Sequence, residues 1–387
     1  MNELVLKERI YHLFFRVFLL PLWITTIFFL LFSSFLKKRK KIYDLGLYPY
    51  SQKGGDGYHR RFIEYLKYLD EAKVSYKIFD VCYEDDFREA EKKSSYYLYF
   101  FLLKNYYIRI WQTLEIRNCK KAFVQRGMVP YYFLRKETLL EKLASKLCSF
   151  VVYDYWDAVW VGNLDYTKKT AKIADKITVV NSYLENKFHL WNPKTYIFPI
   201  GINMNIYNQK TNYSIIENNF LNLVYTGQAK HAKDMIHILE ENIDFSKLTF
   251  KIKLNLICRE KFKSDFFEII NMPFDLNKMS ERMISADLGV YAVEDNEYNH
   301  GKLAMKSLEY AACKLPQISS PIGLSPVFKD ELDFLSLNDG DDWNAILENI
   351  YLNKELRQKL GESSFLKVTK NHSIENSYQA FKKIMEI

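Results

Sequence analysis

The sequence predicts an α/β fold: two Rossmann-like, doubly wound parallel sheets in series, preceded by an apolar helix. Three observations predict it. From residue 41 to the C-terminus, short apolar runs with strand character alternate with stretches of helical periodicity, the pattern of parallel strands covered by helices. The stretch Ser285–Pro326 condenses that pattern into apolar Leu288–Val293, a polar loop through Asp295–Gly301, a helical run Lys302–Cys313 and a second strand Pro316–Ser320, closed by Pro321-Ile-Gly323. The 387 residues, 48% of them apolar, are enough to bury two ordinary cores.

At the N-terminus, Val17–Leu36 is uncharged and strongly apolar, with a length of about 20 residues that suits a helix crossing a hydrocarbon core. Five basic residues, Lys37-Lys-Arg-Lys-Lys41, follow at once, which a cleaved signal peptide would not have. The run therefore reads as a retained membrane anchor. The heavier positive charge after it, against Lys7, Arg9 and Arg16 before it, places the remaining chain in the cytoplasm. Pro21 weakens a straight span, so an in-plane or re-entrant helix is the second reading.

Lys41–Leu47 reads as the first strand, leading through Gly54-Gly-Asp-Gly to a helix Arg60–Ala72. The order is that of a Rossmann opening without the GxGxxG spacing, and Gly54 and Gly55 serve either a close backbone approach or a turn. Further strands are Val74–Val81, Ala122–Gln125, Phe150–Asp154 and Ile177–Asn181, the last followed by a capping-box start at Ser182-Tyr-Leu-Glu185. Because strand C-termini open onto the ligand crevice, Arg126, Asp154 and Asp157 are candidate site residues; a loop cap or a partner for a nearby Arg is the plainer use of such an Asp. Tyr96–Trp111 is dense in Tyr, Phe and Trp with lysines and arginines nearby, which fits a membrane interface or an amphipathic helix packed on the core.

Past the polar stretch Gln209–Asn219, Leu221–Thr226 opens the second sheet, and Lys230 and Lys233 follow its end. Phe250–Ile257 is the next strand and Met279–Ala286 a helix. In the run Lys302–Cys313, Lys302, Lys306 and Glu309 fall at i, i+4 and i+7 on one helical face just after Gly301. Such a face is either solvated, or places two cations and a helix N-terminus toward a diphosphate with a carboxylate further along for ribose hydroxyls. Asp339-Gly-Asp341-Asp342-Trp343 has a metal-like DxD look, but three acids ahead of Trp343, Ile346 and Leu347 are what a helix N-terminus wants.

The order Asp287-Leu-Gly, Gly301-Lys302, Lys306, Glu309-Tyr310, Ala312, Pro316 and Ser319-Ser-Pro-Ile-Gly323 resembles the donor-binding segment of GT-B glycosyltransferases of the large retaining family 4. The segment Asp154-Tyr-Trp-Asp157-Ala resembles that family's acidic strand end, with Trp156 replacing one acid. The resemblance implies two Rossmann-like domains facing a central cleft. The division is 1–40 anchor, 41–205 acceptor domain, 206–372 nucleotide-sugar domain, and 373–387 a helix crossing back to the first domain. It also implies transfer of a sugar from a nucleotide-sugar donor, with retention and without a metal or other cofactor. By the same resemblance Lys230 or Lys233, Gly301, Lys302 and Lys306 take the diphosphate, Glu309 the ribose, and Gly55 the cleft-facing loop. Lys306 steadies the departing group, and Asp157 orients the acceptor or relays its proton. The first acid of the family's Glu-x7-Glu pattern falls at Gly301, which leaves Glu294, Asp295 and Glu297 as loop candidates for the donor sugar; Glu294 is the choice made. The anchor points to a lipid-linked or glycan acceptor in surface polysaccharide or glycolipid assembly.

Totals narrow the alternatives. Five scattered cysteines without CxxC spacing fit reduced thiols, and seven histidines form no zinc pattern. The net charge of +8 is mild and its densest cluster adjoins the apolar run, which disfavours nucleic acid as a partner. A nucleotide-sugar epimerase of the same fold and a non-catalytic membrane scaffold remain as other classes.

Overall fold

The structure is a computed structural model that describes residues 3–36, 41–129 and 137–387, excepting the side chains of 3–16, 56 and 276. Lys37–Lys40, the charges of Lys7, Arg9 and Arg16, and Pro130 lie outside the described residues. The chain forms two compact units, one of residues 1–198 with 380–387, the other of 199–379. The first therefore ends earlier than residue 205, and it takes back only the last part of the C-terminal helix Ile374–Met385.

The first unit holds a six-stranded parallel sheet: β1 Tyr43–Tyr48, β2 Tyr76–Ile78, β3 Cys119–Gln125, β4 Val151–Tyr155, β5 Lys176–Val179 and β6 Thr195–Ile197, in the order β2-β1-β3-β4-β5-β6. Ala122–Gln125 and all of β4 are buried, as central strands covered on both faces must be. β6 has no apolar run to announce it, since Tyr196 and Ile197 are exposed at the sheet edge. The helix after β5 is capped by Asn181, whose side chain accepts from the Leu184 amide at 2.9 Å, one residue before the Ser predicted to do so.

Asp154 belongs to this unit's interior. Arg61 clamps its carboxylate through Nε at 2.8 Å and Nη2 at 2.6 Å, Thr178 donates at 2.7 Å, and the guanidinium lies 3.7 Å over the Phe198 ring. Both charged side chains are fully buried, and a pair so enclosed holds its geometry because removing either partner strands the other. The expectation that Asp154 faces the crevice is corrected: a residue still inside the strand points along the sheet normal into the helix layer.

The N-terminal helix Glu3–Leu31 also departs from its expected role. Among the described residues no helix is long and apolar enough to cross a membrane. Leu19, Thr26 and Ser33, at heptad spacing, are 1%, 0% and 5% exposed, because this side lies against the helices Ser95–Glu115 and Leu139–Leu147. A segment apolar on all sides is thus half covered by protein.

The second unit repeats the architecture with β7 Phe220–Thr226, β8 Lys251–Ile257, β9 Glu268–Met272, β10 Leu288–Tyr291, β11 Gln317–Ser319 and β12 Leu335–Ser336. Their order, β12-β11-β10-β7-β8-β9, is parallel throughout, and its direction reverses between β7 and β10. Asp342 caps the helix Trp343–Leu352 by accepting from the Ala345 amide at 3.0 Å.

The helix Met305–Ala312 is seated directly on this reversal. Tyr310 donates to the carbonyls of both Val224 on β7 and Val290 on β10, at 3.1 and 3.2 Å. Its ring fills the place a side chain on Gly289 would need; a Cβ there would stand 2.4 Å from Tyr310 Cδ2. Gly289→Ala is therefore expected to destabilise the protein by about 1–3 kcal/mol through overpacking, read as a lower denaturation midpoint at unchanged slope.

Candidate active site

In doubly wound sheets, ligands bind beyond the strand C-termini where the strand order reverses. In the second unit that point lies beyond Thr226 and Tyr291, and the chain places there Lys230 and His231 in the first turn of the helix Ala229–Asn242, with Lys302 and Lys306 from the segment after β10. Lys302 Nζ is 3.5 Å from His231 Nε2 and 4.4 Å from the centroid of the Tyr298 ring.

The helix predicted to start just after Gly301 starts at Met305. A four-residue turn Glu297–His300 comes first, and Lys302 sits in the connection. The cause is tertiary: the Ala304 amide donates to the Gly323 carbonyl at 2.8 Å, and a Cβ on Gly323, at φ +72, would stand only 2.9 Å from the Lys302 carbonyl oxygen. Lys302 and Lys306 therefore meet through this fold-back and do not share a helical face. Glu309, on the helix, is 5% exposed and accepts from the Tyr207 hydroxyl at 3.3 Å.

The electrostatics follow from the crowding. Burial, then the charges of Lys306 and Lys230, push the Lys302 ammonium down to about 8 from its usual 10.5, with Asp234 opposing. Burial together with Lys302 and Lys306 pushes His231 down to about 4, so its ring is neutral at physiological pH. Lys233 is exposed. His231 is the site residue that sequence reasoning missed; its only signal was its place beside Lys230.

Of the loop acids, Glu294 is exposed and accepts from the Asn296 amide group at 3.3 Å. Asp295 contacts His300 at 2.7 Å, and Glu297 opens the short turn that Gly301 ends.

In the first unit, the strand ends gather a second group. Gln125, buried on β3, accepts from the amides of Tyr50 and Ser51 at 3.0 and 3.1 Å and so fixes the loop after β1. Arg126 takes the left-handed conformation, φ 62, rare for a side chain of its size. Its guanidinium pairs with Asp157 and lies 4.9 Å over Tyr50. Asp157 thus has an arginine partner while standing past the end of β4. Gly55 closes a turn through its amide to Gln52, and close packing in that loop falls at Gly57, where a Cβ would stand 2.7 Å from Trp156.

The comparisons with known proteins bear on this geometry. Residues 276–383 match the family model described as glycosyl transferase-like. This segment contains β10, Lys302, Lys306 and Glu309. No curated protein matches the sequence. Among solved structures, a glycosyltransferase from Rickettsia africae is similar at 13% identity and TM-score 0.61, over 88% of this chain and 97% of that one. Anabaena Alr3699/HepE in complex with UDP and glucose is similar at 8% identity and TM-score 0.60, over 89% and 99%. An α-glucosyltransferase in complex with UDP gives 12% identity and TM-score 0.59, over 89% and 99%. The structural likeness is one of fold: two Rossmann-like α/β units of the GT-B kind. With the family match, the chain is an enzyme of the glycosyltransferase class.

Lys302 provides a pH test. Its folded value lies below its unfolded one, so the cost of holding it charged is fully present below pH 8 and vanishes as pH rises through the unfolded value near 10.5. Lys302→Met is expected to raise the melting temperature of the ligand-free protein at pH 7, by roughly 2–4 °C if screening leaves about 1 kcal/mol, and to leave it unchanged near pH 10.5.

Proposed function

We propose that this enzyme transfers a sugar from a nucleotide-sugar donor to a lipid-linked or glycan acceptor, with retention, at the cytoplasmic face of a membrane during surface polysaccharide or glycolipid assembly. UDP is the nucleotide favoured, because two structures of this fold carry it. The observation that carries the reading is the group Lys230, His231, Lys302 and Lys306 gathered at the strand-order reversal, where a diphosphate would meet several cations at once.

In this reading the cations stabilise the diphosphate as the anomeric C–O bond breaks, with Lys306 nearest that role. They supply the charge neutralisation that a divalent cation supplies in metal-dependent transferases, so no metal cofactor is proposed. Glu309 takes the ribose, which requires Tyr207 to share or release its carboxylate. Glu294 is assigned to the donor sugar and Asp157, paired with Arg126, to the acceptor hydroxyl. Membrane association and the family 4 relation are part of the proposal. So is the cytoplasmic location, which agrees with five free cysteine thiols.

The test is donor binding and donor hydrolysis by detergent-purified full-length protein against a panel of nucleotide sugars. One donor class is expected to bind, UDP-sugars first, with Lys306→Ala and Glu309→Ala each weakening binding at least tenfold. Sugar isomerised without any acceptor would make the protein an epimerase, and no binding of any donor would leave the scaffold reading.

A further inference from the structure

The first unit carries an apolar surface that its own fold leaves uncovered. While Leu19 and Thr26 face protein, Val17, Leu20, Ile24, Ile27, Phe28 and Leu31 occupy the other side of the N-terminal helix at helical spacing, 42–73% exposed. No charged residue interrupts the sequence from Val17 to Leu36.

The helix Ser95–Glu115 extends this surface. Phe18 meets Phe100 edge-on at 5.6 Å and Phe29 meets Trp111 at 5.5 Å, so the two helices' outer sides adjoin. Along it, Tyr97, Phe100, Lys104, Tyr107 and Trp111 recur at three- and four-residue intervals, the four aromatics 46–52% exposed and Lys104 exposed. Lys93 lies 4.5 Å over the Tyr97 ring. With about half of each large side chain uncovered, the combined patch is on the order of 800 Å², above the 300–600 Å² typical of the largest patch on a monomer.

The chemistry is graded. From Val17 to Leu31 the exposed side of one helix is mainly aliphatic and Phe; its neighbour offers Tyr and Trp interleaved with lysine. That sequence of chemistries matches the acyl boundary and the headgroup level of a bilayer. A protein interface would instead be depleted in lysine at its core. The lysines complement an anionic leaflet.

We propose that these two helices form an in-plane membrane-binding surface, the N-terminal helix lying along the acyl boundary of an anionic leaflet and the helix Ser95–Glu115 at headgroup level. It rests on the membrane association proposed above and replaces a spanning anchor with a two-helix face.

The experiment is co-sedimentation of the full-length protein with phosphatidylcholine vesicles, with and without phosphatidylglycerol, donor hydrolysis in detergent and circular dichroism melting being followed on the same preparations. Wild type is expected to bind, more strongly when the anionic lipid is present. Ile24→Glu/Phe28→Glu is expected to lose at least tenfold in vesicle affinity with melting unchanged. Tyr107→Ala/Trp111→Ala is expected to lose several-fold, which an anchor made of the N-terminal helix alone would not show. Lys104→Glu is expected to weaken binding only where phosphatidylglycerol is present. Unchanged binding in either double variant overturns the proposal. So does a wild-type dimer in mild detergent that ignores vesicles and dissociates in Ile24→Glu/Phe28→Glu, since the face then belongs to a second copy. Loss of donor hydrolysis in wild type with vesicle binding intact would count against the transferase reading alone.

Discussion

Basic side chains crowd together only where the structure behind them allows no other arrangement. Here the structure behind is the junction of β7 and β10. Tyr310 ties both strands to one helix, Gly289 makes room for its ring, and the loop around Gly323 pulls Ala304 out of that helix. The consequence is that Lys302 is delivered by a fold-back and Lys306 by a helix, while Lys230 and His231 come from the far side of the reversal. Each element alone is an ordinary surface feature. Burial at their meeting point, and then the neighbouring lysine charges, depress Lys302 to about 8 and keep His231 neutral.

The two acid–base pairs of the first unit show how position along a strand separates structure from chemistry. Asp154 lies within β4 and is consumed by Arg61 and Thr178 in the dry interior. Asp157, three residues on, is past the strand end, partly exposed, and held by an arginine whose own backbone is in a costly conformation. Strain of that kind persists where the surroundings over-determine it, as Gln125 and Tyr50 do here.

Much of this was legible in the sequence, and the rest was not for identifiable reasons. The central strands announced themselves because strands buried on both faces must be continuously apolar, whereas β6, β9 and β12 are short or exposed edges with no such constraint. The start of the helix at Met305 was not legible, since Leu303 and Ala304 are good helix formers and a hydrogen bond from the Ala304 amide to the distant Gly323 loop decides against them. His231 was not legible because its significance depends on which strands are neighbours. The apolar N-terminal run was legible as a lipid-seeking segment, but hydropathy counts residues and not sides, and Leu19 and Thr26 face protein.

The cation group has a consequence for turnover. In the proposed function what it would hold is the negative charge of a diphosphate, and a nucleoside diphosphate left after sugar transfer carries at least as much of that charge as the sugar-bearing form. Electrostatics built from Lys230, Lys302 and Lys306 therefore cannot favour the reactant over the spent nucleotide. Discrimination has to come from contacts to the sugar. On the proposed function, such an arrangement would make the spent nucleotide an inhibitor and tie the steady-state rate to its departure or its degradation by a phosphatase.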